Sequence, residues 1–409
     1  MTATRAARAS GDGALLALLG AAGFASVAST RLCDAMVPAL ALAFGTSAQD
    51  AAAAISAYAI AYSVMQLVCG PVGDRFGKPQ VIGLAAACCA LTTACAALAP
   101  SLPVLVLARA AMGACTAAIV PLTVAWIADT VPLAQRQQTL ARYSGYTVFG
   151  LVLGPLLGGL LTQLLSWRVA FGLLAPLFAA VAFVLLVRRP GGGNSSAAAR
   201  EPTLPYLRQV QSLLRSRWAR WVLAAACIEA GLGIGSLAFV PTVLNARFGL
   251  PPLHAGAVAA LFGLGGFVFS RSAAPLLRRV PAPAMPAIGG LSLALAMALL
   301  ALMPAWGWGA AACTLAGFGF FALHNTLQVQ ATQLSPAATG LAVSLFTCCI
   351  FIGQSVGVLI GAHTFTRFAP GWSFAAAGAG LLLLGLSLRR ALRGRAVGAT
   401  ALLLRHPQP

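Results

Sequence analysis

Carboxylates are scarce in this chain: its 409 residues include 26 Lys and Arg but only 7 Asp and Glu, and charged residues of either sign make up 8%. A soluble domain carries roughly 25%, so a surface that faces water all round is excluded. The sequence also lacks a phosphate-cradling Gly-Lys-Ser/Thr loop and a Gly-x-Gly-x-x-Gly fingerprint. That excludes ATP hydrolysis by this chain alone, and no cofactor is expected. The 10 cysteines, with Cys88-Cys89 and Cys348-Cys349 adjacent, fall in apolar stretches without metal-ligand spacing. They read as small buried hydrophobes, not as a disulfide framework or a metal centre. His324, His363 and the scattered serines show no nucleophile-and-base spacing, which argues against an enzyme.

What the chain does have is hydrophobic length. Hydrophobic residues amount to 60%, in runs that reach the ~20 residues needed to cross ~30 Å of hydrocarbon. Lipid offers the backbone no hydrogen-bond partner, and the runs are too continuous for alternating barrel strands, so the spans are helices. Twelve are read, near 14–43, 51–72, 80–99, 103–128, 139–165, 169–187, 220–245, 254–276, 284–303, 306–332, 338–365 and 371–388. Arg5 and Arg8 ahead of "ALLALLGAAGFASVAS" imitate a secretory signal, but the apolar run continues through Arg31 and Asp34, so a retained first helix is expected.

In a soluble protein this positive excess would suggest a nucleic-acid partner; in a membrane protein its position sets orientation instead. Lys and Arg crowd the termini and the even-numbered loops, Arg168, Arg247 and Arg367 fall on the opposite side, and Arg31 and Arg109 lie within spans. Both termini are therefore expected in the cytoplasm, with no nucleic-acid partner. A polar segment opening Pro-Gly-Gly-Gly-Asn-Ser-Ser divides the chain into an N-terminal six-helix half (1–188), a cytoplasmic linker (189–218), a C-terminal six-helix half (219–392) and a cytoplasmic tail (393–409).

An offset of about 204 residues brings the halves into register. Pro38, Phe44 and Gly45 fall on Pro241, Phe248 and Gly249, Pro71 on Pro275, Gly113 on Gly317, Pro132 on Pro336, and Trp167 on Trp372. Parallel repeats of this kind predict a substrate site near mid-bilayer between the halves, with access by rocking one half on the other.

Three stretches carry more specific information. In "GPVGDRFGK" (Gly70 to Lys78), Gly73 and Gly77 permit a tight turn, while Asp74, followed by Arg75, offers a carboxylate to nearby donors or a helix N-terminus. In "RAAMG", Arg109 lies inside a span, where an arginine costs at least ~2.5 kcal/mol and is rarely kept without a partner, although a position near the outer interface would let it snorkel. In "GLVLGPLLGG" the glycines 150, 154 and 158 share one helix face and permit close helix approach. Pro155 and Gly159 interrupt that run, and the ladder recurs at 353, 357 and 361 without the proline.

With the duplicated twelve-span plan, these stretches resemble the motifs of the major facilitator superfamily over residues 14–390, and within it the drug/proton antiporter group. The resemblance implies an all-α fold of two six-helix repeats. It implies a cytoplasmic gate in which Gly70, Gly73, Asp74, Arg75, Gly77 and Lys78 latch against the start of the eleventh helix. Asp129, Arg136 and Arg142 are candidate partners of that gate. The second copy, "APLLRRV", puts Arg278 where Asp74 stands, so the latch is asymmetric.

Intramembrane polar residues supply the coupling and substrate candidates. Arg31 and Asp34 in "RLCDAMVP" share a helix face; Asp34 can pair with Arg31 locally, pair with Arg109 across the bundle, or alternate between them, and a purely structural pair with Arg31 is the alternative to a transport role. Glu229 in "CIEAGLG" is expected one to two turns below the cytoplasmic surface, with a structural snorkelling role as open as a transport role. In "HNTLQVQATQ", His324, Gln328 and Thr332 form a stripe expected to face the bundle. Tyr58 and Tyr62, with Gln66 below, form a similar candidate lining.

The expected function is secondary active transport, with proton-coupled efflux of a small organic solute favoured by the fifth-helix motif. Proton-coupled uptake of a metabolite is the alternative, and a non-transporting sensor or an embedded enzyme the remote ones. The expected partners are the solute, protons and the lipid bilayer, for a monomer in a bacterial inner membrane.

Overall fold

The computed structural model describes residues 2–187, 206–335 and 339–405; most of the expected linker, Pro336 and residues 406–409 lie outside them. Among the described residues, twelve helices are long and apolar enough to cross a membrane: Leu15–Ala35, Ala48–Gly73, Lys78–Ala97, Leu102–Thr130, Gln138–Leu164, Trp167–Val187, Arg217–Phe248, Pro252–Ala273, Ala282–Leu302, Trp306–Thr332, Gly340–Phe365 and Pro370–Arg395. The protein is an integral membrane protein, all-helical in these residues.

The first and seventh spans are not single α-helices. The first tightens into a 3-10 turn at Leu32–Ala35 before resuming as Val37–Phe44, and the seventh widens into a π turn at Gly231–Gly235 before resuming as Val240–Phe248. In each, a proline of the matched pair, Pro38 or Pro241, enters the first turn of the resumed helix, where its missing N–H is tolerated but cannot continue the preceding ladder. Both resumed helices end on a left-handed glycine, Gly45 at φ 61° and Gly249 at φ 65°. The expected turn at "GPVGDRFGK" falls differently. Gly73 and Asp74 remain in the helix that ends at Phe76, and Gly77 alone turns, at φ 88°. At Gly73 a side chain would meet the tip of Leu122, which would have to shift to admit it.

The two glycine ladders do the same job. A methyl group at Gly150, Gly154 or Gly158 would run into the backbone of the first span at Phe24, Ala28 and Leu32. On the eleventh span, Gly353 and Gly357 abut the carbonyls of Cys227 and Gly231 on the seventh, and Gly361 lies under the Phe239 ring. One buried core is built mainly from the first six spans and takes in Ala238, Phe239, Val358 and Ala362 of the seventh and eleventh, and a second is built mainly from residues of the last six.

Two seams connect these cores. Across the second and eleventh spans, Ser355 donates to the Ser56 carbonyl at 3.1 Å and Tyr62 stacks on Phe351 at 3.8 Å between ring centres. Across the fifth and eighth, Gly159 abuts the Pro252 carbonyl, Gly256 abuts that of Pro155, and the Leu253 N–H donates to Gln163 at 3.0 Å.

Candidate functional site

Arg31 and Asp34 sit on either side of the point where the first span changes to a 3-10 turn. Arg31 Nε lies 2.9 Å from Asp34 Oδ2, with both residues buried at 4% and 0% exposure. The contact is an ion pair without hydrogen-bond alignment, and neither carboxylate oxygen accepts a hydrogen bond. Of the two pairings open to Asp34, the structure holds the local one.

Arg109 is fully buried, so it does not snorkel. Its Nη1 donates to the Ser29 carbonyl at 3.0 Å and its Nε to that of Ala54 at 3.3 Å, which ties the first and second spans together. The guanidinium lies over the Tyr58 ring, 4.3 Å from its centre, and Nη2 has no partner. Tyr58 is held from its other end by Thr116 at 2.6 Å and by the Ser26 carbonyl at 3.3 Å. Tyr62 leads from this cluster to the seam with Phe351, while Gln66 is buried with its side-chain oxygen unpartnered.

Glu229 lies just before the π turn of the seventh span and is fully buried, not snorkelling: its Oε2 is 3.0 Å from His324 Nδ1 on the tenth span. Its other oxygen has no partner. His324 stacks on Phe320 and tilts against Phe346. The packed face of the tenth span follows Phe320, Leu323, Leu327 and Ala331, which leaves Gln328 and Thr332 exposed beside it.

An aromatic bridge connects the Arg31–Asp34 and Glu229–His324 pairs, and the sequence reading missed it. Arg31 approaches the Phe262 ring of the eighth span at 5.8 Å, Phe262 meets Phe320 at 5.6 Å, and Phe320 meets His324 at 5.1 Å. The repeat offset could have pointed to Phe262, since it is the counterpart of Tyr58. Gly113 abuts the carbonyl of Tyr58, and its counterpart Gly317 abuts that of Phe262.

On the loop face carrying Gly77, Lys78 Nζ pairs with Asp129 at 2.5 Å. Arg136 donates to the Val131 carbonyl at 3.4 Å, and Arg142 and Arg75 are exposed. Gly70 has open space beside it. The Asp74 side chain lies outside the described residues, so the latch it would form is carried forward as a proposal.

The sequence profile of the Major Facilitator Superfamily matches residues 19–358. The chain belongs to the major facilitator superfamily. Its members among the relatives are transporters, not enzymes. An uncharacterized MFS-type transporter of Bacillus subtilis, YceJ, is 25% identical over 340 residues, 81% of this chain and 84% of that protein. The multidrug efflux pump LfrA of Mycolicibacterium smegmatis is 31% identical over 142 residues, 34% of this chain and 28% of LfrA. An uncharacterized MFS-type transporter of Mycobacterium tuberculosis is 33% identical over 165 residues, and the match spans 39% of this chain but only 23% of that protein. Among solved structures, a bacterial homologue of the human lysosomal transporter Spinster, inward-facing and occupied, superposes with a TM-score of 0.74 at 19% identity, covering 93% of this chain and 97% of that one. At that identity the likeness is one of fold.

Proposed function

We propose that this chain exports a small organic solute in exchange for protons, by alternating access, with the Arg31–Asp34 pair as the proton-coupling centre. The observation that carries the reading is the Asp34 carboxylate: fully buried, 2.9 Å from one guanidinium, and without a hydrogen bond to either oxygen. A buried carboxylate held by one partner and no hydrogen bond is poorly compensated, which makes this pair the candidate for proton exchange. Protonation would free Arg31, which already faces Phe262 across the divide between the cores.

Export is favoured by the fifth-span motif and by partial similarity to the efflux pump LfrA. Closure of the fifth span on the eighth at Gly159 and Pro252 fits a role for that motif in blocking ion leak. The Asp74 loop, with Lys78 and Asp129, is the proposed gate on the cytoplasmic side. The two six-helix halves, a monomer, an inner-membrane location and cytoplasmic termini complete the reading, the last supported by the distribution of arginine and lysine.

The test is solute flux in proteoliposomes under an imposed proton gradient. Wild-type protein is expected to move solute against its own gradient, outward in the cellular sense, while Asp34→Asn inserts normally and loses the proton drive. Drive in the opposite direction identifies uptake instead, and full proton drive in Asp34→Asn removes Asp34 from coupling.

A further inference from the structure

In the second half of the chain basic residues far outnumber acidic ones. From residue 202 to the C-terminus Glu229 is the only acidic residue, and it is committed to His324 within the membrane. Yet arginines gather at the ends of two elements that meet at one corner of the molecule. Arg215, Arg217 and Arg220 lie where the helix Tyr206–Arg215 turns into the seventh span, and Arg389, Arg393 and Arg395 lie at the end of the twelfth. The two elements meet there, since the Arg395 guanidinium lies 4.4 Å from the centre of the Trp218 ring.

Three further features give this corner the form of a site. Trp218 stacks on Trp221 almost in parallel, at 5.4 Å and 8°, so two indole rings stand together at the membrane end of the seventh span. Tryptophan favours this depth because its ring is amphipathic and suits the headgroup layer. The helix Tyr206–Arg215 is two-faced: Leu213 is buried and Val210 packs on the second core, while Arg208, Gln211, Ser212 and Arg215 are exposed, as in a helix that lies in the interface plane. Finally, Arg389 Nε is buried and has no partner, an unmet donor of the kind that buried guanidinium groups rarely retain.

We propose that this corner binds the headgroup of an acidic phospholipid. Its phosphodiester would take charge-assisted hydrogen bonds from the guanidinium groups, with Trp218 and Trp221 at headgroup level and the acyl chains among the lipid-facing side chains below. The ligand chemistry is a phosphate anion carried on an apolar anchor. Juxtamembrane arginines attract anionic lipid additively, so several near one corner hold such a lipid against exchange with neutral ones.

The test uses the purified full-length chain in detergent containing phosphatidylcholine. The thermal midpoint is recorded on addition of phosphatidylglycerol, of more phosphatidylcholine, of glycerol phosphate and of inorganic phosphate, and retained lipid is counted by native mass spectrometry. Phosphatidylglycerol is expected to raise the midpoint in a concentration-dependent way and to stay bound, while the other additions do neither. The paired change Arg217→Gln with Arg395→Gln should abolish both effects. Arg136→Gln with Arg142→Gln, on the other half, should preserve them. Trp218→Leu keeps every charge, and it should weaken the phosphatidylglycerol shift measured from that variant's own midpoint in phosphatidylcholine.

A midpoint rise reproduced by inorganic phosphate would overturn the lipid assignment in favour of a free-anion site. A rise equally lost in both arginine pairs would overturn it in favour of diffuse attraction, and a rise unaffected by the Arg217/Arg395 pair or by Trp218→Leu would overturn the location.

Discussion

The guanidinium of Arg31, on the first span, stands 5.8 Å from the centre of the Phe262 ring on the eighth, so the charged pair of one core touches an aromatic ring of the other. This contact links proposed proton chemistry to the relation between the cores. Phe262→Leu keeps most of the bulk and removes the ring face, with an expected loss of ~0.5–2 kcal/mol. Proton-driven flux should fall accordingly, while Phe262→Tyr should match wild type. Unchanged flux in the leucine variant would detach Phe262 from coupling.

Removing one member of the Glu229–His324 pair should be worse than removing both. His324→Leu leaves a fully buried carboxylate without its partner, a situation worth about 3–5 kcal/mol of destabilisation. The double variant Glu229→Leu with His324→Leu leaves no buried charge and should unfold closer to wild type in a thermal melt. A double variant less stable than His324→Leu alone would show that the pair is not governed by charge burial.

Arg109 is predicted not to tolerate lysine. Its planar fork reaches the Ser29 and Ala54 carbonyls while lying on Tyr58, and a single ammonium on a flexible stem cannot reproduce that arrangement. Arg109→Lys should therefore lower the thermal midpoint by more than Tyr58→Phe, which removes only hydrogen bonds, worth ~0.5–1.5 kcal/mol each.

Adjacent glycines on the fifth span should separate folding from transport. Gly158 abuts the Leu32 carbonyl within the first core, whereas Gly159 abuts that of Pro252 across the seam. Gly158→Leu should reduce the yield of folded protein. Gly159→Leu should leave folded protein whose transport is impaired, read as monodisperse elution with lost flux. Pro155→Ala should fold and leak protons, measured as faster collapse of an imposed gradient.

The spans, the duplication and the glycine ladders were legible because each leaves a one-dimensional signature: apolar length, a fixed offset, or a four-residue period. Arg31–Asp34 was legible for the same reason, as an (i, i+3) pair on one helix. What escaped depends on rotation about helix axes. His324 and Gln328 share a sequence stripe, yet the packed face of their helix passes beside it and takes only His324 partly inside. Glu229 looked like a residue near the surface because sequence gives distance along a span and not the partner waiting across it. Phe262 and Phe320 were invisible as members of a polar site because their role comes from ring placement.

The ladders also have a mechanical meaning. At Gly150, Gly154 and Gly158, and again at Gly353 and Gly357, helix backbones meet with no side chain between them, so neither the first and fifth spans nor the seventh and eleventh have slack in which to slide. Each pair behaves as one stiff beam. Any large motion of this protein must then be taken up where side chains mediate the contact, above all between Tyr62 and Phe351, and a small molecule wedged between those two rings would jam it without touching a charged residue.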